Sequence, residues 1–420
     1  MKKIFILLLI PFASFGQGIL PGVVSVSDRH VTDSKVYLDI PTAPTFSDPQ
    51  TLVQATTGNG IQSGDTGGKT DFLVGSDYDF MGFNGLSGNY RMKSLDETDP
   101  STWATLGSPS PNDYSFNASV STPGVELYNL RLEDSDNLFK LPGADPVKAY
   151  KIQNSYLANG SFGGVLVNEN VADQDYGDAT LYFVMFSGMG GENVYAGRTG
   201  SSVVDYVGTT SVTQCYGINS GREGAQFNNH YVVIVDHVTL LNCGTDTGGG
   251  VGQNNVLQGQ GIGFLTITNS IFTGRAPGMF ATNKARIRNC YWESTQTDRP
   301  IYFQDISANG YHNENVTPDT ILIEDVDFRC DGYTEDHFFR IQEENAVYVF
   351  RRLTLPASAT DIYQVDGAAP VNIIVEDITF GTPNRPTFGP PPEAGYIGYQ
   401  QVVTDDETYN LGRGFRTPNP

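Results

Sequence analysis

Apolar residues recur at one fixed interval in two separate stretches of this chain. Leu181, Val207 and Val233 lie 26 residues apart, and so do Phe186, Val212 and Val238. Further on, Ile321, Val347 and Ile373 repeat the interval, as do Ile323, Val349 and Val375. A period of this size marks a fold built from repeated units that stack on one another, because one unit alone cannot bury its apolar side. Around these positions a short motif returns: alternating apolar residues, an Asn or Asp, then another apolar pair. It reads Val-Glu-Leu-Tyr-Asn-Leu-Arg-Leu at 125–132, Lys-Ile-Gln-Asn-Ser-Tyr-Leu at 151–157 and Thr-Ile-Thr-Asn-Ser-Ile-Phe at 266–272. Further copies are Arg-Ile-Arg-Asn-Cys-Tyr-Trp at 286–292, Leu-Ile-Glu-Asp-Val-Asp-Phe at 322–328 and Ile-Val-Glu-Asp-Ile-Thr-Phe at 374–380. With less regular copies near 183, 209, 235 and 349, about ten units are expected.

Strands this short pair best with the same strand in the unit above and below. Their apolar residues then stack inward, while Asn and Asp, which tolerate left-handed backbone, fill a turn and form side-chain ladders. The expectation is an all-β, right-handed parallel β-helix over residues 121–381. At about 4.8 Å per coil, ten coils make a rod of roughly 45–50 Å, long enough for many sugar units. A sandwich or propeller would need hairpin turns at regular spacing, yet Asn-Gly occurs at Asn59, Asn84, Asn159 and Asn309 without a period. Val207, Val233, Phe186, Val212 and Val238 are expected to point inward.

Residues 1–16, with Lys2 and Lys3 ahead of an apolar run and small residues, read as a secretory signal peptide, so a mature chain starting at Gln17 is expected outside the cytoplasm: extracellular, at the cell surface or periplasmic. No later run approaches the roughly 18 apolar residues of a membrane span. Residues 17–120 lack the motif and are expected to be an irregular β-rich cap, since solenoid ends must be covered. Residues 382–420 form a Pro-rich tail that either wraps back along the rod or acts as a linker. The net charge of −22 excludes nucleic acid and anionic membrane as partners, because both require a basic face. It also counts against an anionic polysaccharide unless cations or a local basic cleft intervene. Cys215, Cys243, Cys290 and Cys330 allow three disulfide connectivities, with Cys215 and Cys243 about one repeat apart; buried free thiols are the other reading. Their spacing does not suggest zinc.

The segment from Tyr231 to Leu240, Tyr-Val-Val-Ile-Val-Asp-His-Val-Thr-Leu, resembles the Val-Trp-Ile-Asp-His stretch of the pectate lyase family. Asp236 and His237 are the matching residues, while Val233 or Ile234 stands where that family has Trp. Asp236 also falls on the repeat's own Asn/Asp turn position, which accounts for it without chemistry. Two coils on, the family carries an Arg-x-Pro-x-x-Arg element. Here Arg275-Ala-Pro-Gly-Met-Phe280 lacks the second Arg, and Thr297-Asp-Arg299-Pro300 places Arg directly before Pro, with Lys284 between them. The likeness spans residues 223–300. It implies a polysaccharide or cell-surface glycan as partner and, if catalytic, β-elimination on a uronate. Arg275, Arg299 and Lys284 would crowd positive charge around the base. It also implies calcium, for which Asp205, Glu223 and Asp246 are the nearest acids; Asp173, Asp175 and Asp178 form a second acidic cluster. In so acidic a chain, solvated surface is the favoured explanation of such clusters.

Two other functions suit the same fold. One is a noncatalytic glycan-binding adhesin or virion-type fibre. The other is a glycoside hydrolase with paired carboxylates, for which the sole Asp-Asp, Asp405-Asp406, lies in the tail and no Gly-His-Gly is present.

Overall fold

Ten residues bend the chain in the same way. Asn129, Asn154, Phe183, Gln214, His237, Asn269, Asn289, Asp325, Arg352 and Asp377 all have left-handed backbone, with φ between 48° and 54°. Each turns the chain at a sharp corner, six of them within an otherwise continuous strand, with the geometry Asn and Asp tolerate best. In this computed structural model the described residues are 35–37, 70–74, 80–81, 83–86, 89–94, 103–107, 114–118, 124–141, 149–167, 178–197, 207–245, 254–304, 319–342, 346–366 and 371–385. The signal segment 1–16 lies outside them. So do Asp173, Asp175, Asp205 and Asp246.

Among the described residues there are strands and no helix, and the strand pairings are parallel. Ala149–Ala158, for example, pairs with Gly124–Tyr128 and Arg131–Glu133 on one side and with Ala179–Met189 on the other. This is a parallel β-helical stack with three faces. The first contains Gly163–Val167, Val194–Ala196 and the beginning of Ala225–Asp236. The second runs up to the left-handed corner, as in Val207–Thr213. The third follows that corner, as in Tyr216–Ser220, Thr239–Cys243 and Ile271–Gly274.

Inward residues stack into one continuous core. Leu181, Val212, Val235 and Ile267 lie in register from coil to coil. Aromatic rings stack likewise, with Phe116 and Phe139 5.4 Å apart and Phe272 and Trp292 4.6 Å apart. Amide ladders run along two corners. Asn154 Nδ2 donates to Asn129 Oδ1 at 2.7 Å, and Asn289 Nδ2 to Asn269 Oδ1 at 2.7 Å. A second row has Asn242 Nδ2 donating to Asn219 Oδ1 at 2.7 Å.

The 26-residue interval is not the register. Successive left-handed corners are 25, 29, 31, 23, 32, 20, 36, 27 and 25 residues apart. Leu181 pairs with Val212, and Val207 pairs with His230 rather than Val233. Strands stay aligned because their inward side chains pack, while extra residues are absorbed at the other corners; the interval reflects an average coil. Val233, Phe186, Val212 and Val238 are buried as expected, and the Val207 side chain lies outside the described residues.

The start of the stack also differs from residue 121. Thr70–Val74, Asn89–Ser94 and Gly124–Tyr128 form a parallel series, and Thr105–Gly107 pairs with Arg131–Glu133. The motif is missing there because Ser94, whose buried hydroxyl donates to the carbonyl of Asn129, stands beside the first turn Asn. All four cysteines are buried free thiols. Cys243 pairs with Ser220, whereas Cys215 follows the left-handed corner at Gln214, so the two occupy different positions around the coil and cannot bridge.

Replacing Val233 by Asp would place an unpaired carboxylate in this core. Chemical denaturation should show a loss of several kcal/mol, on the order of the larger core penalties.

Candidate functional site

The corner between the third and first faces varies in length from coil to coil. After Thr239–Cys243 the chain uses residues 244–254 to reach the first face, and after Ala276–Ser294 it uses 295–300 to reach Ile301–Phe303. Between them lies the shortest coil among the described residues. Ile271–Gly274 passes to the first face through Arg275 alone. A tight corner flanked by longer ones leaves a groove of about 780 Å³, lined by Asn242, Thr245, Arg275, Glu293, Asp298 and Arg385 among others. Gly274 is required there, since a Cβ would meet the Cys243 carbonyl oxygen at 2.5 Å. The backbone of Arg275 is pinned: its N–H donates to Cys243 O at 2.9 Å, and its carbonyl accepts from Gln296 N–H and from Ser294 Oγ, each at 2.7 Å.

Three expected site residues meet along this corner. Glu223 lies at 221–224, Arg275 at the short corner and Arg299 at 295–300. Burial lowers the pKa of Arg299 from its usual value; Asp298 opposes this, Arg275 adds like-charge repulsion, and Glu223 acts in the opposite sense. Glu223 is 1% exposed, and its Oε1 accepts the Asn254 N–H at 3.0 Å. Burial, reinforced by the charge of Glu192, pushes its carboxyl up to about 7. Glu192 is buried beside it, also raised by burial, with Arg222 at 3.7 Å.

The other expected residues lie elsewhere. Lys284 is already on the second face, 2.7 Å from Asp319 Oδ2 and above the Phe264 ring, because the short corner at Arg275 lets the first face finish before residue 284. Asp236 and His237 sit at the left-handed corner between the second and third faces. His237, not Asp236, occupies the left-handed position. Asp236 ends the strand and accepts from Thr268 Oγ1 at 2.6 Å, Asn269 Nδ2 at 2.9 Å and His237 Nδ1 at 2.9 Å. Burial alone would raise its pKa, but these partners outweigh burial and hold it below the usual carboxylate range. The pair therefore terminates an amide ladder.

For calcium, Glu223 does not fit: it is enclosed, held by a backbone N–H and inclined to keep its proton. Asp178, of the second acidic cluster, accepts the Thr209 N–H at 2.8 Å. No group of three acidic, His or Cys side chains suited to a metal occurs among the described residues.

Sequence reasoning missed Glu293, Asp298 and Arg385. Glu293 is an outward residue of a repeat strand and carries no mark of its own. Arg385 comes from the Pro-rich tail. Its guanidinium lies 2.6 Å from Glu293 Oε1 and 3.5 Å from Asp331, and Arg329 donates to the Pro383 carbonyl at 2.8 Å. The first residues of the tail thus run back along the third face. Beside the groove, the first face presents an outward column in register: Tyr195, Gln226, Gln258, Met279 and Tyr302. Gln226 and Gln258 are only 7% and 6% exposed although they alternate with inward Ala225, Phe227 and Leu257.

No family model and no curated protein matches the chain. Among solved structures, the A-module of the Azotobacter vinelandii mannuronan C-5 epimerase AlgE6 is similar at 13% identity and a TM-score of 0.41, over 80% of this chain and 96% of that one.

Because Glu223 carries a raised pKa in the folded state, the folded protein binds more protons than the unfolded one between roughly pH 4 and 7. Its contribution is full below that window and is lost as the pH rises through about 7. Glu223→Gln should therefore flatten the decline in melting temperature between pH 5 and pH 8, measured by differential scanning fluorimetry, while Glu192 retains a smaller slope.

Proposed function

We propose that this chain is a secreted carbohydrate-active protein that takes an acidic polysaccharide along its first face and cleaves it by β-elimination at the corner groove. The observation that carries this reading is the meeting of Arg275 and Arg299 on one corner, where the first face begins. Of the outward column on that face Tyr195 and Tyr302 are partly exposed, and aromatic rings suit sugar ring faces. The protein as a whole repels anions, so a uronate chain needs local cations, and these two arginines lie where the first face begins. Arg275, on the groove wall, would clamp the substrate carboxylate through a bidentate contact. Arg299, half-buried and repelled by Arg275, is the better base, because both effects favour its neutral form.

In that role Arg299 takes the proton at C5 of the uronate. The electron pair moves to form the C4–C5 double bond, and the C4–O bond breaks, releasing the leaving sugar oxygen, which takes up a proton. Arg275 offsets the charge that builds on the carboxylate. No step is assigned to calcium.

The test is ultraviolet detection of unsaturated products across a panel of uronate polymers, with and without calcium. Arg299→Lys and Arg275→Lys should each reduce turnover by at least about 100-fold with no change in melting temperature, since Lys is neither the same base nor a bidentate clamp. Full activity in both variants would remove the proposed site. Binding of a polymer by the wild type without any product would instead favour the noncatalytic adhesin.

A further inference from the structure

The chain reverses along the rod after its last described strand, Asn372–Gly381. Gly381 stands beside Pro356 and Glu293 beside Arg329 in register, and the strands carrying Arg329 and Pro356 pair with each other, so Glu293 lies three coils below Gly381. Residues 382–385 cross that distance, roughly 14 Å at the coil spacing. Four extended residues ending in a long side chain reach that far. They belong to no strand. Side chains hold them instead. Arg329 Nη1 donates to the Pro383 carbonyl at 2.8 Å, and Arg385 ends the run as a fork on Glu293, with Nε 2.9 Å from Oε1 and 3.0 Å from Oε2 and Nη2 2.6 Å from Oε1.

Glu293 is the fixed partner of this pair. Tyr291 Oη donates to Glu293 Oε2 at 2.8 Å, and the Glu293 side chain is 14% exposed, whereas that of Arg385 is 56% exposed. Both line the groove, together with Arg275 and Asp298. With Arg385 docked the groove wall carries two arginines and two acids; without it, one arginine stands against two acids. Glu293 also lies beside Thr273 in register, two residues before Arg275 on the neighbouring coil, so its charge acts where a ligand carboxylate held by Arg275 would sit. An uncompensated acid in a partly exposed wall, a few ångströms from such a carboxylate, weakens binding by roughly tenfold.

We propose that residues 382–385 are a strap that adapts the groove to anionic ligands, Arg385 cancelling the charge of Glu293 beside Arg275. The inference rests on the acidic-polysaccharide reading above and adds to it a residue that takes no part in the chemistry. Glu293 serves as the dock that brings the tail to this corner, and the docked guanidinium removes the repulsion that the dock would otherwise exert. The groove therefore has two charge states. Strap down, its acids are balanced and a uronate can enter; strap up, the bare Glu293 and Asp298 oppose one.

Isothermal titration calorimetry with hexamers of galacturonate, mannuronate and glucuronate tests this on three full-length proteins: wild type, Arg385→Ala, and Arg385→Ala combined with Glu293→Gln. The expected result is an affinity lower by roughly tenfold in Arg385→Ala and largely recovered in the double variant, whose Gln keeps an acceptor for Tyr291 without the charge. Melting temperatures should stay unchanged, since an exposed ion pair contributes little to stability. Equal affinity in wild type and Arg385→Ala would overturn the inference and leave the function reading standing. A loss that persists undiminished in the double variant would also overturn it and make Arg385 a direct ligand contact. Binding of none of the hexamers by the wild type would remove the function reading, and the role of the strap with it.

Discussion

Everything in this molecule depends on the backbone of each coil finding its hydrogen-bond partners in the next one. Strands of three to five residues are too short to be stable alone, and a parallel neighbour above and below supplies the missing donors and acceptors. Register is then a matter of side-chain packing: Leu181, Val212, Val235 and Ile267 stay in line although the coils between them differ in length. The left-handed corner closes each coil within a single residue. Asn suits it, because its amide can also bond to its neighbour in the ladder, but Phe183, Gln214 and Arg352 adopt the same backbone. The stack can impose that conformation where the residue alone would not choose it.

Freedom in coil length is what makes a site possible. A stack of identical coils would have smooth corners. Here the coil between Asn269 and Asn289 is the shortest, and its single-residue corner at Arg275 lies between two longer connections. The groove is the difference between them. The same variation sends Lys284 away, since shortening one corner advances every later residue around the rod.

Electrostatics around the groove are local rather than global. The chain carries a large negative charge, yet this corner holds Arg275, Arg299 and Arg385 beside Glu293 and Asp298. Arg385 is paired with Glu293. Glu223 lies beneath, enclosed and biased towards its neutral form, which limits how far it can offset Arg299.

The sequence by itself determined the parallel stack, its Asn/Asp corners and the inward positions, because each is a local choice repeated many times: Asn269 and Asn289 bend the chain and bond to each other for reasons visible in their own motifs. Arg275 and Arg299 follow such motifs by six and ten residues, and that unequal offset alone did not bring them to one corner; the different lengths of the two connections did. The sequence misjudged Asp236, because a shift of one residue between the strand end and the corner alters no apolar pattern. The early coils before residue 121 were hidden by the lack of a turn Asn, with Ser94 in its place. Only the tertiary structure decided the unequal coil lengths, the burial of Glu223 and the return of Arg385 to Glu293. Those depend on what stands beside a residue in the neighbouring coil, a distance in sequence that varies from 20 to 36 residues and follows no period.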